Sequence, residues 1–316
     1  MRLFLKKLLL FFLPLIILSY PIDIIISKLI SNQEDVSIVA GEFSVWNDIV
    51  KGKINADILI YGSSRAWVQF DSKKIQDATE KRTYNLGIDG HNFLLQHLRH
   101  KMYLKLNQKP KTIIISVDYS TLTKRPDLYN YSQFLPYMLW NKDIKEYISK
   151  YEGFDRADYY VPLLRYTGEF RLLSKSLISS LKKKNVKRVN GFLAQELVWN
   201  DDFDNAKKNN KKVDSEIDTD TLSLFDNFLS ECKNDNINVI LVFAPIFHEG
   251  LAYIKNYNKL DKVFDNLAKK YGSLYLNYTK NPICLDKNNF YNATHLNKRG
   301  TEVFNELLIS DFLKEN

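Results

Sequence analysis

Asp57-Ile58-Leu59-Ile60-Tyr61-Gly62-Ser63-Ser64-Arg65 is the stretch on which the fold turns. An apolar run without alternation stops at a glycine and two serines. Such a run suits a strand covered on both faces. Gly-Ser-Ser then suits a tight exit into a helix, with a serine as its cap. Similar short runs follow at Thr83–Leu86, Thr112–Val117, Asn238–Phe243 and Ser273–Asn277. Between them, Leu95, Leu98, Met102 and Leu106 recur at helical spacing. So do Leu222, Phe225, Leu229 and Cys232, and so do Leu251, Ile254, Tyr257, Leu260, Phe264 and Leu267. A last helix is expected after Asn297, with Val303, Phe304, Leu307 and Leu308 on one face. Strands alternating with helices predict an α/β fold with an open, mainly parallel five-stranded sheet.

The chain has 316 residues, 45% of them hydrophobic and 26% charged, enough for a real core and outside the range of wholesale disorder. Its 11 Gly and 8 Pro exclude collagen-like and low-complexity classes, and 2 Cys exclude a disulfide scaffold. No His/Cys cluster has the spacing of a zinc site, so neither metal nor organic cofactor is expected. The mean hydropathy of −0.30 excludes a multi-span membrane protein. Cys232 falls on the apolar face of a helix and Cys284 in a loop, and two unpaired thiols are expected.

Residues 1–7 are basic, and Leu8–Ile26 is then apolar but for Asp23. A spanning helix needs ~20 apolar residues. Ser19-Tyr20-Pro21 is a poor cleavage site, so an uncleaved signal anchor (residues 1–31) is preferred over a cleaved signal peptide. Basic residues before the span place the N-terminus in the cytoplasm and the rest outside the cytoplasmic membrane. Residues 32–55 read as a polar stalk with a short helix. Residues 56–316 read as one α/β domain, interrupted at about 121–220 by a Tyr- and Lys-rich helical insertion. The net charge of +8 is reduced once the basic N-terminus is set aside. Lys182-Lys183-Lys184 with Lys187 and Arg188 reads as a solvated helix end or as a contact for an anionic polymer or lipid headgroups. Nucleic acid is not an expected partner.

Ligands of open α/β sheets bind beyond the carboxyl ends of the strands. The residues there are Gly62-Ser63-Ser64-Arg65, Gly87-Ile88-Asp89-Gly90-His91-Asn92, Asp118-Tyr119-Ser120, Pro245-Ile246-Phe247-His248-Glu249 and Tyr291-Asn292-Ala293-Thr294-His295-Leu296-Asn297. This set suits acyl transfer. A serine opening a helix stands near free amides, a histidine can deprotonate it, and a glycine amide can complete an oxyanion hole. Each part alone has a plainer reading: helix cap, turn glycine, core histidine.

In order, these blocks resemble the SGNH/GDSL hydrolase superfamily over roughly 57–120 and 221–314. The resemblance implies a flavodoxin-like three-layer sandwich and a serine mechanism. Ser64 stands at the nucleophile position, and Ser63 where Asp is usual. Gly90 stands at the oxyanion position beside the Ser64 amide, and His295 stands as the base. Two positions depart from the pattern. Asp118 replaces the oxyanion Asn and cannot donate when ionised. Asn292 replaces the helper Asp, and its side chain can accept from His295 through its carbonyl or donate through its amide. Asp118, Ser63, Arg65 and His248 are the candidates for an orienting or accessory role. The anchor, Gly-Ser-Ser and His-Leu-Asn together resemble membrane-anchored proteins of surface-polysaccharide O-acetylation and of teichoic acid D-alanyl transfer. That likeness implies a serine acyl-ester hydrolase or acyltransferase on a cell-surface glycan or acylated polymer, beside a multi-span membrane acyltransferase. The alternative is a catalytically weak scaffold, an accessory subunit of such a complex.

Overall fold

The computed structural model describes residues 1–32, 41–181 and 188–315. Contacts divide it into two compact units, Met1–Asn47 with Pro126–Lys187, and Asp48–Arg125 with Arg188–Asn316.

The second unit carries the sheet. Its strands are β1 (Ile58–Gly62), β2 (Thr83–Asn85), β3 (Thr112–Val117), β4 (Asn238–Phe243) and β5 (Leu274–Asn277), in the order β2-β1-β3-β4-β5. All neighbours are parallel. Strands β1 and β3 are buried along their whole length, the physical reason their sequences show no alternation. Their side chains still alternate between faces. Ile58, Ile60, Ile114, Ile240 and Val242 share a core with Phe70, Phe304, Leu308 and Phe312. Phe93, Phe225 and Phe228 form an edge-to-face cluster between the helices Phe93–Leu106 and Thr219–Asn234. The order reverses between β1 and β3, so the switch point of the sheet lies where Ser64 and Asp118 follow their strands.

A short antiparallel pair, β6 (Phe290–Asn292) and β7 (His295–Leu296), stands before the last helix, Lys298–Glu315. Both cysteines are buried and free.

The first unit is helical. The N-terminal helix Arg2–Ser31 includes a stretch, Lys6–Ser31, long and apolar enough to cross a membrane. Its outer part is exposed, while Asp23, Ser27 and Ile30 are buried. Asp23 receives both terminal nitrogens of Arg165 at 2.7 Å, the Trp140 indole at 2.9 Å and the Leu163 amide at 2.7 Å. Helix Glu42–Val50, in the stretch read as a stalk, belongs to this unit as far as Asn47 and there buries Phe43, Val45 and Trp46. Residues 126–187 of the expected insertion belong to this unit, and 121–125 and 188–220 to the sheet unit. Among the described residues of 121–220 there is no strand. The lysines at 182–184 and 187 lie outside the described residues. Arg188 is buried, with its guanidinium 4.1 Å over the Trp67 ring.

Candidate active site

Strand β1 ends in Gly62, whose φ of +149° disfavours a side chain. A Cβ there would lie 2.7 Å from the Ala66 Cβ and 2.8 Å from the Ser116 Cβ. The chain can therefore turn tightly into the helix Ser64–Gln69. Ser63 is its cap and accepts from the Arg65 amide. Ser64 is the first helical residue, so its amide has no intrahelical acceptor. Asn85 ties this helix to the end of β2. Its amide donates to the Ala66 and Phe70 carbonyls at 2.9 Å, and its carbonyl accepts from the Gly87 amide at 2.9 Å. Arg99 donates to the carbonyls of Leu86 and Gly87, and Arg188 also reaches that of Gly87. The loop continues to Gly90, at φ +69°, whose carbonyl accepts from the Arg125 guanidinium.

The structure brings Ser64, His295 and Asn292 together. Ser64 Oγ lies 2.8 Å from His295 Nε2, and His295 Nδ1 lies 3.0 Å from Asn292 Oδ1. The β6–β7 pairing accounts for the spacing, since Asn292 and His295 are directly opposed across the turn Ala293-Thr294. The amides of Thr294 and His295 donate to Asn292 Oδ1 at 3.0 and 2.9 Å. Those donors fix which end of the Asn292 amide faces the turn. It is the carbonyl, so Nδ1 carries the proton and Nε2 offers a lone pair to Ser64.

Three residues around His295 had no assigned role in the sequence reading. Tyr291 stacks on the imidazole, with ring centroids 5.3 Å apart and planes at 20°. Thr294 Oγ1 lies 3.1 Å from Nδ1, and the Tyr119 hydroxyl is hydrogen-bonded to the Thr294 side chain. Both tyrosines lie in post-strand segments already singled out, which was the available signal. Asn85, Arg99 and Arg188 gave no such signal.

Asp118 is buried and does not bond His295. Its Oδ2 accepts from Ser63 Oγ at 2.5 Å, and its Oδ1 from the Ser120 amide and hydroxyl at 2.7 and 2.6 Å. With these donors it staples the β3 exit to the β1 exit. As an orienter of the histidine it is replaced by Asn292. Arg65 is buried beside it and donates to the Ala244 and Pro245 carbonyls at 2.7 and 2.9 Å. Its Nε and Nη1 have no acceptor among the described residues. Burial lowers the Arg65 pKa, and the Asp118 charge opposes that shift. Burial also lowers the His295 pKa to about 3, with the Arg65 cation adding to the shift and Asp118 opposing it. His248 is exposed, against the Phe247 ring, and has no hydrogen bond to Ser64 or His295. Among the described residues, no His/Cys/Asp/Glu group is arranged to hold a metal.

The arrangement can perform nucleophilic acyl transfer: a serine, a neutral imidazole accepting its proton, and a carbonyl holding the productive tautomer. No family model and no curated protein matches the chain. Solved structures do. A Streptococcus pneumonia protein provisionally described as a platelet activating factor is 12% identical, with a TM-score of 0.40 over 86% of this chain and 90% of that one. A GDSL-like lipase from Bacteroides thetaiotaomicron VPI-5482 is 11% identical, with a TM-score of 0.38 over 82% and 88%.

Proposed function

We propose that the chain is a membrane-anchored serine acyl-esterase or acyltransferase that acts on acyl groups, acetyl foremost, of an extracytoplasmic polysaccharide. The observation that carries the chemistry is the 2.8 Å approach of Ser64 Oγ to His295 Nε2, with Asn292 Oδ1 on the far nitrogen. Ser64 Oγ attacks the acyl carbonyl and gives its proton to Nε2. The carbonyl oxygen, now negative, takes hydrogen bonds from the Ser64 and Gly90 amides, a term worth ~3–4 kcal/mol per donor where measured. The imidazolium hands the proton to the departing sugar oxygen, leaving acyl-Ser64. Water or an acceptor hydroxyl then attacks that ester by the reverse route. The imidazolium is opposed by Arg65 and favoured by Asp118, the charge that Asn292 cannot supply.

The glycan substrate and a multi-span acyltransferase partner are supported by the sequence resemblance. The membrane placement is supported by the apolar helix Lys6–Ser31. A second reading, an accessory scaffold of the same complex, is favoured by one observation: the group on His295 Nδ1 is neutral. A fluorophosphonate probe separates the two. Labelling of Ser64 that disappears in Ser64→Ala and His295→Ala supports the enzyme. Failure of the folded protein to label, with no turnover of a small acetyl ester, overturns it.

A further inference from the structure

Building on the reading of the N-terminal helix as an anchor, we propose that the unit holding it also rests on the lipid surface. It would do so through a shelf of exposed aromatic and apolar side chains, Trp140, Tyr160, Val161 and Leu164.

Asp23 serves as a ruler for the depth of that shelf. Trp140 donates its indole N–H to Asp23 Oδ1 and packs edge-to-face on Tyr20, with centroids 6.2 Å apart. The Leu163 amide and Arg165 hold the other side of the same carboxylate. Trp140 and Leu163 are thereby fixed at the level of helix positions 20–23, with Leu164 next along the chain and Tyr160 and Val161 two to three residues before Leu163. The shelf side chains are open to solvent, with Trp140 46%, Tyr160 59%, Val161 46% and Leu164 39% exposed.

The outward surface of the helix is still apolar at this level. Asp23 faces inward, while Ile22, Ile24 and Ile25 on the same turns are exposed. At 1.5 Å per residue, Leu8–Ile25 is about 27 Å long, close to the ~30 Å hydrocarbon core. A bilayer that covers Leu8 therefore reaches the depth of Asp23 and meets the shelf. Tryptophan and tyrosine beside apolar residues suit that headgroup zone, where a ring is half in hydrocarbon and its polar edge is wet. Cations stand at the rim. Lys145 lies 4.1 Å over the Tyr160 ring, and Lys28 is exposed farther along the helix, both suited to lipid phosphate.

The test uses the full chain in nanodiscs of phosphatidylcholine and phosphatidylglycerol in equal parts. Tyr160→Cys, Leu164→Cys and, within the helix, Ile16→Cys each carry an environment-sensitive fluorophore. The native thiols are buried, and burial pushes Cys232 up to about 12 and Cys284 to about 11, so they stay unlabelled. A spin label borne near the glycerol end of the lipid chains should quench most of the emission from both shelf positions, while aqueous iodide should not. Shelf labels open to iodide and untouched by the lipid quencher, with Ile16 still shielded from iodide, overturn the shelf and leave the anchor standing. An Ile16 label open to iodide overturns both. Comparison of wild type with Trp140→Phe gives a label-free check: the lipid quencher should remove an indole component present only in wild type, and no such component speaks against the shelf.

Discussion

Asn292 turns its carbonyl, not its amide, toward His295, with Oδ1 3.0 Å from Nδ1. The same oxygen accepts the amides of Thr294 and His295, so the turn between β6 and β7 decides the histidine tautomer. Geometry is supplied without charge. A serine–histidine pair so built has its base correctly protonated in the ground state, yet carries no anion on Nδ1 to stabilise the imidazolium, which the charge of Asp118 favours without bonding the ring.

Asn292→Asp should therefore raise turnover of an acetyl ester, by ~10-fold or more, because a carboxylate keeps every bond that Oδ1 now accepts and adds the missing charge. Asn292→Ala should fall toward the ~10⁴-fold loss that a wrong tautomer brings, since it frees both the ring and the turn. Steady-state kinetics on purified variants checks both. A sharp drop in Asn292→Asp would mean that the neutral amide has a role of its own.

Ser64→Ala should abolish turnover with an unchanged far-UV spectrum. Ser63→Ala should retain measurable activity. Its hydroxyl donates to Asp118 and caps the Ser64–Gln69 helix, so its loss weakens a scaffold by about 1 kcal/mol and removes no reacting atom. The reverse ranking would move the nucleophile to position 63.

The buried strands were legible because burial on both faces leaves a continuous apolar signature. Thr112–Val117 and Asn238–Phe243 are read with the same ends in sequence and structure. Strand β1 shifts by one residue, since Asp57 is held by Arg82 outside the strand and Gly62 extends within it. The serine and histidine were legible from their places after strands. The direction of the Asn292 amide was not, because it depends on two backbone amides that face it only once the turn has formed. Tyr119 and Thr294 meet through a hydrogen bond that no local pattern encodes. Asp23 read as a blemish in an apolar run, because Arg165, its partner, is far away in sequence.

Activity should persist well into acid. Burial holds His295 near 3, so the base is neutral across the ordinary range, and the acid limb of kcat/KM should lie far below the usual histidine value of 6.5. Asn292→Asp should move that limb upward. Stability behaves differently. The folded pKa is depressed, so below about 6.5 the unfolded chain takes up the proton first. The stabilising contribution is complete above that pH and is lost as pH falls toward 3. His100, buried against the Tyr61 hydroxyl and also lowered to about 3, acts in the same direction. Thermal melts at stepped pH should therefore decline through this window. An NMR titration placing His295 near 6.5 in the folded protein would refute the acid-active profile.

Asp23 and Arg165 are each fully buried, so their pairing is a commitment of the helical unit and not a surface ornament. Removing one partner leaves an uncompensated buried charge, which typically costs about 3–5 kcal/mol, whereas replacing both with apolar groups of similar size is often neutral or stabilising. Arg165→Met should therefore lower the unfolding midpoint of the detergent-solubilised full chain markedly, and Asp23→Leu should do the same. The double variant should recover most of the loss, although the Trp140 indole and the Leu163 amide would each lose an acceptor at Asp23 and keep the recovery incomplete. A double-mutant cycle with a large coupling energy supports the pair as the joint between the N-terminal helix and residues 126–187. If the two single losses simply add in the double variant, the carboxylate and the guanidinium act independently. The helix would then be held by Ser27, Ile30 and their apolar neighbours instead.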